Sequence, residues 1–371
     1  MEYLYVYCLA SNLGKTMRIL IIVPNFQYGG TEKTVERLAK YLSCEFSVCI
    51  LTLGNKLDLD SVEHKEYNLA KFSYMKAMGQ IYEIIKFHKI NHVHCFGELP
   101  IALIILCSFF KRLFNFSITA HVRNNEREFV NATGSKLKKL ARYVILYISL
   151  HVSDRIFANS RTLAEDTKKY FSLKRVSVFP NQTEISTDKI ANRHTRKTSI
   201  RMIGRGGAQK QYGMAIKVFN EYRNLGGSCN LEIFGEVDRV CQERLLALAT
   251  VPDCVVFHGF VQDPWRCSGR VLCLLMTSKY EGSPNVMLEA MQRGVAVATS
   301  FFHHGPQELL IDTKLGELVA PEGDISQLSN ILLQLEDNEY RTSIAFRLLE
   351  VAKKFSSADV FAHFVKEIKK G

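Results

Sequence analysis

Apolar, β-branched runs alternate with helix-period stretches along nearly the whole chain. The first run, Arg18-Ile19-Leu20-Ile21-Ile22-Val23, is unbroken, as suits a strand buried on both faces of a parallel sheet. It ends at Pro24-Asn25 and the Gly29-Gly30 pair, after which Thr31 offers a cap to a helix with apolar positions at Val35, Leu38, Ala39 and Leu42. The unit then recurs. Strands are expected at 46–53, 91–96, 116–121, 154–158 and 176–179, with helices near 74–88, 98–110, 136–150 and 160–170. At 185–197 the pattern gives way to a polar, aperiodic stretch that reads as a linker. A second set follows, with strands near 199–204, 230–235, 254–258, 271–276, 295–299 and 316–319. The last stretch, 358–370, puts Val360, Phe361, Phe364, Val365 and Ile368 on one helical stripe.

This alternation predicts an α/β protein of two Rossmann-like domains, each a doubly wound parallel sheet, facing each other across a cleft. The expected boundaries are an N-terminal extension at 1–16, a first domain at 17–184, the linker at 185–197 and a second domain at 198–352. Residues 353–371 would form a helix crossing back to the first domain.

Composition narrows the class. A length of 371 residues fits two domains, and 47% apolar with 23% charged residues is ordinary for a globular chain. No apolar run reaches the roughly 18 residues of a membrane-spanning helix. The longest, 99–110, is broken by Pro100 and Ser108 and reads as a buried core helix. Residues 1–16 lack the basic start and small-residue cleavage site of a signal peptide, so a cytoplasmic protein is expected. Ten cysteines include no CxxC pair, which favours reduced thiols in a core over metal or disulfide roles. His92/His94 and His303/His304 have no Cys or carboxylate at ligand spacing, and Asp58-Leu59-Asp60 sits in a polar loop where a metal site is not expected.

The charge is uneven. Net charge is +11, with 25 Lys/Arg against 16 Asp/Glu in residues 1–184 and 23 against 21 in the remainder. Between 111 and 150 there are eight basic and two acidic residues. Such an excess suits an anionic membrane surface or a phosphorylated substrate, or else is a solvated basic face. Nucleic acid is not expected, since no binding motif accompanies the charge. Stretch 136–150 starts basic (Lys136, Lys138, Lys139) and continues apolar; its basic end, with Lys111-Arg112, is expected on anionic lipid and its apolar part in the core.

The strongest chemical signal is Tyr280-Glu281-Gly282-Ser283-Pro284-Asn285-Val286-Met287-Leu288-Glu289-Ala290-Met291 after the strand at 271–276. Ser283 is a natural N-cap and Pro284 suits the first helical position. Backbone N–H groups near Asn285 and Val286 would point into the cleft, with no acidic side chain in that turn to compete for a ligand anion. Glu281 and Glu289 flank the spot and suit sugar hydroxyls; the plainer alternative is a capped helix with a solvated Glu289. A second signal is Met202-Ile203-Gly204-Arg205-Gly206-Gly207-Ala208-Gln209-Lys210, a strand entering a glycine-rich turn with two cations fit to neutralise a diphosphate. It lacks the P-loop ending, and no G-x-G-x-x-G follows a strand, which argues against a dinucleotide enzyme.

Together these stretches resemble the family-4 glycosyltransferases with the GT-B fold, over residues 17–371. The resemblance is carried by Gly29-Gly30-Thr31-Glu32, His121-Val122-Arg123-Asn124, Ala158-Asn159-Ser160, Phe179-Pro180-Asn181, Gly204-Arg205 with Lys210, His258-Gly259-Phe260, and above all the Glu281-x7-Glu289 pair. It implies retaining transfer of a hexose or N-acetylhexosamine from a nucleotide diphosphate sugar, with uridine the commoner base, and no metal or other cofactor. The first domain would take the acceptor and the second the nucleotide sugar. By position, Arg205 and Lys210 would hold the diphosphate beside Gly204, Asn285 and Val286. Glu289 would hold the ribose, Glu281 the sugar, and Phe260 and Val261 the base. His121 would line the sugar pocket from the first domain, and Gly30 would allow close backbone approach. Gln211 stands where a glycine is often found, and Ser283 where an aromatic is usual. The expected setting is surface polysaccharide biosynthesis, lipopolysaccharide O-antigen or capsule, on a lipid-linked acceptor at the inner face of the cytoplasmic membrane. A nucleotide-sugar epimerase and a non-catalytic sugar-nucleotide scaffold are the alternatives.

Overall fold

The computed structural model describes residues 3–9, 17–24, 30–52, 64–68, 74–131, 134–183, 198–267 and 270–369. The expected linker at 185–197, the Asp58-Leu59-Asp60 loop and Gly29 lie outside these residues. The chain divides into two compact units, Met1–Pro180 with Phe361–Gly371, and Asn181–Val360.

In the first unit the strands are β1 (Tyr3–Leu9), β2 (Arg18–Val23), β3 (Ser47–Thr52), β4 (His64–Asn68), β5 (His92–Phe96), β6 (Ser117–Val122), β7 (Arg155–Ala158) and β8 (Ser177–Val178). They form one sheet in the order β4-β1-β3-β2-β5-β6-β7-β8, parallel from β3 through β8. The stretch expected as an extension thus supplies a strand, since β1 pairs antiparallel with both β3 and β4. Its partner at 64–68 is short and polar, and no sequence pattern links the two.

Burial explains the clean reading of β2: residues 19–23 have no exposed surface at all. Fully burying each such side chain is worth roughly 1.5–3 kcal/mol. One face of the sheet is covered by the helix Glu98–Phe114, against which Tyr74–Phe87 and Lys136–Val152 pack, and Leu20, Ile84, Ile104, Ile118 and Leu146 share that core. The other face is aromatic. Phe364, on the final helix Ser357–Lys369, packs 4.4 Å from Phe179, and Phe361 lies 5.0 Å from Tyr41. The stripe at 361, 364 and 368 is therefore a packing face of the first unit, which takes the chain back at Phe361 rather than 353.

Two expectations about apolar helices are corrected. The helix Glu98–Phe114 is not buried throughout, because Phe109 and Leu113 face solvent. In Lys136–Val152 only Leu146, Ser149 and Leu150 are buried, whereas Leu137, Leu140, Val144, Ile145, Tyr147 and Ile148 are exposed. The helix carries more apolar residues than its narrow inward face uses. No helix among the described residues is long and apolar enough to cross a membrane.

The second unit has β9 (Thr198–Ile203), β10 (Asn230–Phe234), β11 (Val255–Gly259), β12 (Arg270–Met276), β13 (Ala296–Ser300) and β14 (Val319–Ala320) in the parallel order β11-β10-β9-β12-β13-β14. The strand order reverses between β9 and β12. In open α/β sheets that switch point opens a crevice at the carboxyl ends of the strands. Glycine is required at one position beside it. Gly235 has φ +130°, and a Cβ there would lie 1.8 Å from the Gly204 carbonyl oxygen, so only glycine lets the end of β10 approach the turn after β9.

Candidate functional site

The switch point explains why two motifs 71 residues apart in sequence meet. The turn after β9 and the loop after β12 leave neighbouring strands at the same sheet edge, and hydrogen bonds stitch them together. Gln209 Nε2 donates to the Tyr280 carbonyl at 2.7 Å, the Lys279 amide donates to the Gln209 carbonyl at 2.8 Å, and Thr277 Oγ1 donates to the Lys210 carbonyl at 2.9 Å. Lys210 Nζ then reaches Glu281 Oε1 at 2.7 Å, while Ser278 Oγ donates to the same oxygen at 3.1 Å. Arg205 is exposed on the turn. Gln211 sits at φ +49°, the left-handed region where glycine is at no disadvantage.

The helix Asn285–Gln292 follows the loop that carries Glu281. Its cap is Pro284, in extended conformation with no side-chain bond, and Asn285 is the first helical residue. This corrects the expected Ser283 cap by one position. Ser283 is buried, and its carbonyl accepts from Asn181 Nδ2, so the Phe179-Pro180-Asn181 motif ends by fixing the loop that enters the helix. The first intrahelical donors are the amides of Met287 and Leu288; those of Asn285 and Val286 precede them, in a turn without acidic side chains.

Glu289 follows on that helix and accepts from the Trp265 indole Nε1 at 3.1 Å. Trp265 is buried, and the Arg293 guanidinium lies 5.8 Å from its ring. The loop bearing Trp265 is anchored from below by Arg201 on β9, whose side chain has no exposed surface. Arg201 donates to the Pro264 carbonyl at 2.6 Å and the Cys267 carbonyl at 3.3 Å, and pairs with Glu232 at 3.1 Å. Its guanidinium also lies over Phe234, on which His258 stacks at 4.3 Å; Gly259, exposed Phe260 and half-buried Val261 follow. Sequence reasoning missed Arg201 and Trp265. The available signals were an arginine inside an apolar strand and the chain's one tryptophan.

In the first unit the motif residues also converge. Arg123 Nη2 donates to Thr34 Oγ1 at 3.1 Å, on the helix Gly30–Ser43, and the Arg123 carbonyl accepts from Asn159 Nδ2 at 2.9 Å. Burial pushes the Arg123 guanidinium down to about 9 against the opposing pull of Glu32. Ser160 caps its helix by accepting from the Leu163 amide. Gly30, half-buried, opens the helix, so Thr31 lies within the first turn rather than capping it. His121 is only 1% exposed. It is boxed in by Phe96, stacked at 3.8 Å, and by Phe157, Phe179 and Phe364, with its Nε2 3.1 Å from His94 Nδ1. Burial, then His94 and Arg123, hold its pKa well below the usual range. The ring is thus enclosed in the unit rather than open to a pocket.

Two family descriptions match the chain in succession: "Glycosyltransferase Family 4" over residues 28–186 and "Glycosyl transferases group 1" over 183–355. Among curated proteins, the chain is 22% identical over 359 residues to an N-acetylgalactosamine-N,N'-diacetylbacillosaminyl-diphospho-undecaprenol 4-alpha-N-acetylgalactosaminyltransferase of Campylobacter jejuni subsp. jejuni serotype O:2. That match covers 92% of this chain and 96% of the relative. Among solved structures, sucrose-phosphate synthase from Thermosynechococcus elongatus superposes with a TM-score of 0.77 at 16% identity, covering 95% of this chain and 98% of that one. Anabaena HepE in complex with UDP gives 0.69 at 14% identity, covering 96% and 100%. With family matches running from residue 28 to residue 355 over a fold shared with these structures, the chain belongs to the family-4 glycosyltransferases of the GT-B fold.

Proposed function

We propose that this glycosyltransferase moves a hexose or N-acetylhexosamine, with retention, from a uridine diphosphate sugar to a lipid-linked saccharide in the making of a bacterial surface polysaccharide. The observation that carries the reading is the Lys210–Glu281 pair, with exposed Arg205 on the same turn as Lys210 and the helix Asn285–Gln292 following the same loop as Glu281. The name of the Campylobacter relative, which acts on an undecaprenol diphosphate saccharide, supports the acceptor class. The UDP complex of HepE supports the base. A working place at the cytoplasmic face of the membrane follows from such an acceptor.

In this scheme the leaving diphosphate gains negative charge as the bond from the anomeric carbon to phosphate oxygen breaks. Arg205, Lys210 and the amides of Asn285 and Val286 are aimed at that charge, the task a metal serves in other transferases. Glu281 shares Lys210 with the diphosphate and accepts from sugar hydroxyls; Glu289 accepts from the ribose; Phe260 and Val261 flank the base. The acceptor oxygen forms its bond on the face the phosphate leaves, and its proton passes to the departing phosphate oxygen. His121, enclosed as it is, receives no substrate contact, which leaves Gly30 to the first unit.

Incubation with labelled uridine diphosphate sugars, with and without lipid extract, tests the reaction. Label is expected in lipid only when acceptor is present, and the product linkage should keep the donor's anomeric configuration by NMR. Donor conversion without acceptor would mark an epimerase, binding without turnover a scaffold, and an inverted product would end the retaining assignment. A trapped glycosyl–protein adduct would replace the same-face route with a covalent one.

The indole contact gives a further expectation. Trp265→Phe removes the N–H that Glu289 accepts, and a hydrogen bond to a charged group is worth about 1.5–3 kcal/mol. UDP affinity should fall about tenfold or more with turnover at saturating donor nearly unchanged, read by calorimetric titration and kinetics.

A further inference from the structure

A cavity of about 560 Å³ opens at the amino edge of the first unit's sheet, where β7 and β8 begin. Reaction sites of open α/β sheets lie at the carboxyl ends of the strands, so the proposed transfer leaves this edge unused. Alternation along β7 decides what the cavity contains. Ile156 and Ala158 turn into the core under the helix Glu98–Phe114. Arg155 and Phe157 take the other face, where Phe157 lies 5.3 Å from Phe364 of the final helix. Ser177 of β8 is in register with Phe157 and shares that face. Half-buried Arg155 and Ser177 therefore line the cavity, and the turn after the helix Arg161–Tyr170 adds Ser172, at φ +54°, and exposed Lys174.

The carboxylates of the cavity are engaged, and two of its cations are not. Asp154 accepts from the Ile118 amide at 2.8 Å and pairs with Lys111, while Glu367 of the final helix pairs with Arg175 at 3.3 Å. Among the described residues, the side chains of Arg155, Lys174, Ser172 and Ser177 make no hydrogen bond or ion pair. The carboxyl ends of Lys136–Val152 and Arg161–Tyr170 border the cavity and favour a cation there. No carbonyl accepts from Arg155, however, so its donors stay unused. A planar fork, an ammonium and two hydroxyls form a donor set for a tetrahedral oxyanion. The volume falls within the range of small-molecule sites and leaves room for a body beyond the anion.

We infer that this cavity is a second small-molecule site, for a phosphate monoester of about sugar size. Arg155 and Lys174 hold the phosphate, and Ser172 and Ser177 donate to its oxygens. The site is independent of the proposed transfer.

The test is calorimetric titration of the full chain with glucose 6-phosphate at saturating UDP, against glucose as control. The wild type should bind the ester and not glucose. Lys174→Gln, at an exposed position, should weaken binding about fivefold, and Arg155→Gln/Lys174→Gln about tenfold or more. UDP affinity should match wild type in both variants, and Lys210→Ala should leave ester binding unchanged, which separates this site from the donor site. The His92 ring supplies a readout that a purely structural Arg155 would not move. Burial, and after it the charge of Arg155, holds His92 below the usual histidine range. An anion on Arg155 should therefore shift the His92 NMR titration, assigned with His92→Gln, to higher pH, and Arg155→Gln should abolish that response. Absence of ester binding, equal binding of glucose, or unchanged affinity in both variants would overturn the inference. So would loss of ester binding in Lys210→Ala, or a His92 titration that ignores the ester.

Discussion

Lys210→Ala is expected to lose about 10²–10³ in turnover, or roughly 3–4 kcal/mol, while donor affinity falls far less. The ammonium is held 2.7 Å from Glu281 at the switch point, and in the proposed reaction it meets charge that grows only as the glycosidic bond breaks. Glu289→Gln should behave in the opposite way. The glutamine carbonyl can still accept from Trp265, but the ribose contact weakens equally in ground and transition states, so the change appears mainly in donor binding. Glu281→Gln should move both quantities, because it touches the sugar and also loosens Lys210. Steady-state kinetics with donor titration on the three variants separate these patterns. Wild-type turnover in Lys210→Ala would show that the diphosphate is held elsewhere.

Acid should weaken the first unit through its buried histidines, and His94→Phe should blunt that loss. Burial, with smaller contributions from His92 and Arg155, pushes His94 down to about 3, and His121 is held well below its usual value by the same cause. Below pH about 6.5 the unfolded chain takes up protons that the folded rings refuse, so stability falls as pH falls, by about 1.4 kcal/mol per pH unit for each ring. Glu126 and Glu98 act in the reverse sense. Burial raises them to about 8 and about 7, so folding gains as pH drops toward the usual glutamate range near 4.5. The two pairs therefore oppose each other between about 6.5 and 4.5, and below that only the histidine loss remains. His94→Phe removes one titrating ring from an aromatic box. Its stability–pH curve should be shallower than wild type by about 1.4 kcal/mol per unit, accumulating to about 5 kcal/mol between pH 6.5 and 3. Urea unfolding at a series of pH values measures the difference; parallel curves would mean that the pair already carries a proton in the fold.

The strand–helix alternation, the two sheets and the paired glutamates were legible in the sequence because each is written in a local pattern. A strand buried on both faces must be apolar throughout, as residues 19–23 are, and the Glu281-x7-Glu289 spacing with no acidic side chain in the first helical turn is visible in the sequence itself. The antiparallel β1 and β4 were not legible, since a ladder between residues 3–9 and 64–68 leaves no trace in either segment's periodicity. Local pattern also misplaced the cap at Ser283 by one residue. Its carbonyl is claimed by Asn181, a contact across 102 positions of chain.

By itself, then, the sequence shows Arg205, Lys210, Glu281 and Glu289 in two motifs whose charge and spacing make them candidates for the proposed chemistry. Which of them meet was decided by the tertiary structure. Adjacency of β9 and β12 puts Lys210 on Glu281, and the loop tied down by Arg201 gives Glu289 its indole donor. The fold likewise closed His121 inside a box of phenylalanines and turned the apolar face of Lys136–Val152 outward. Helical period states only that a helix has an apolar face. Whether that face meets a core or a different surface depends on the neighbours, and here the sheet was already covered by the helix Glu98–Phe114.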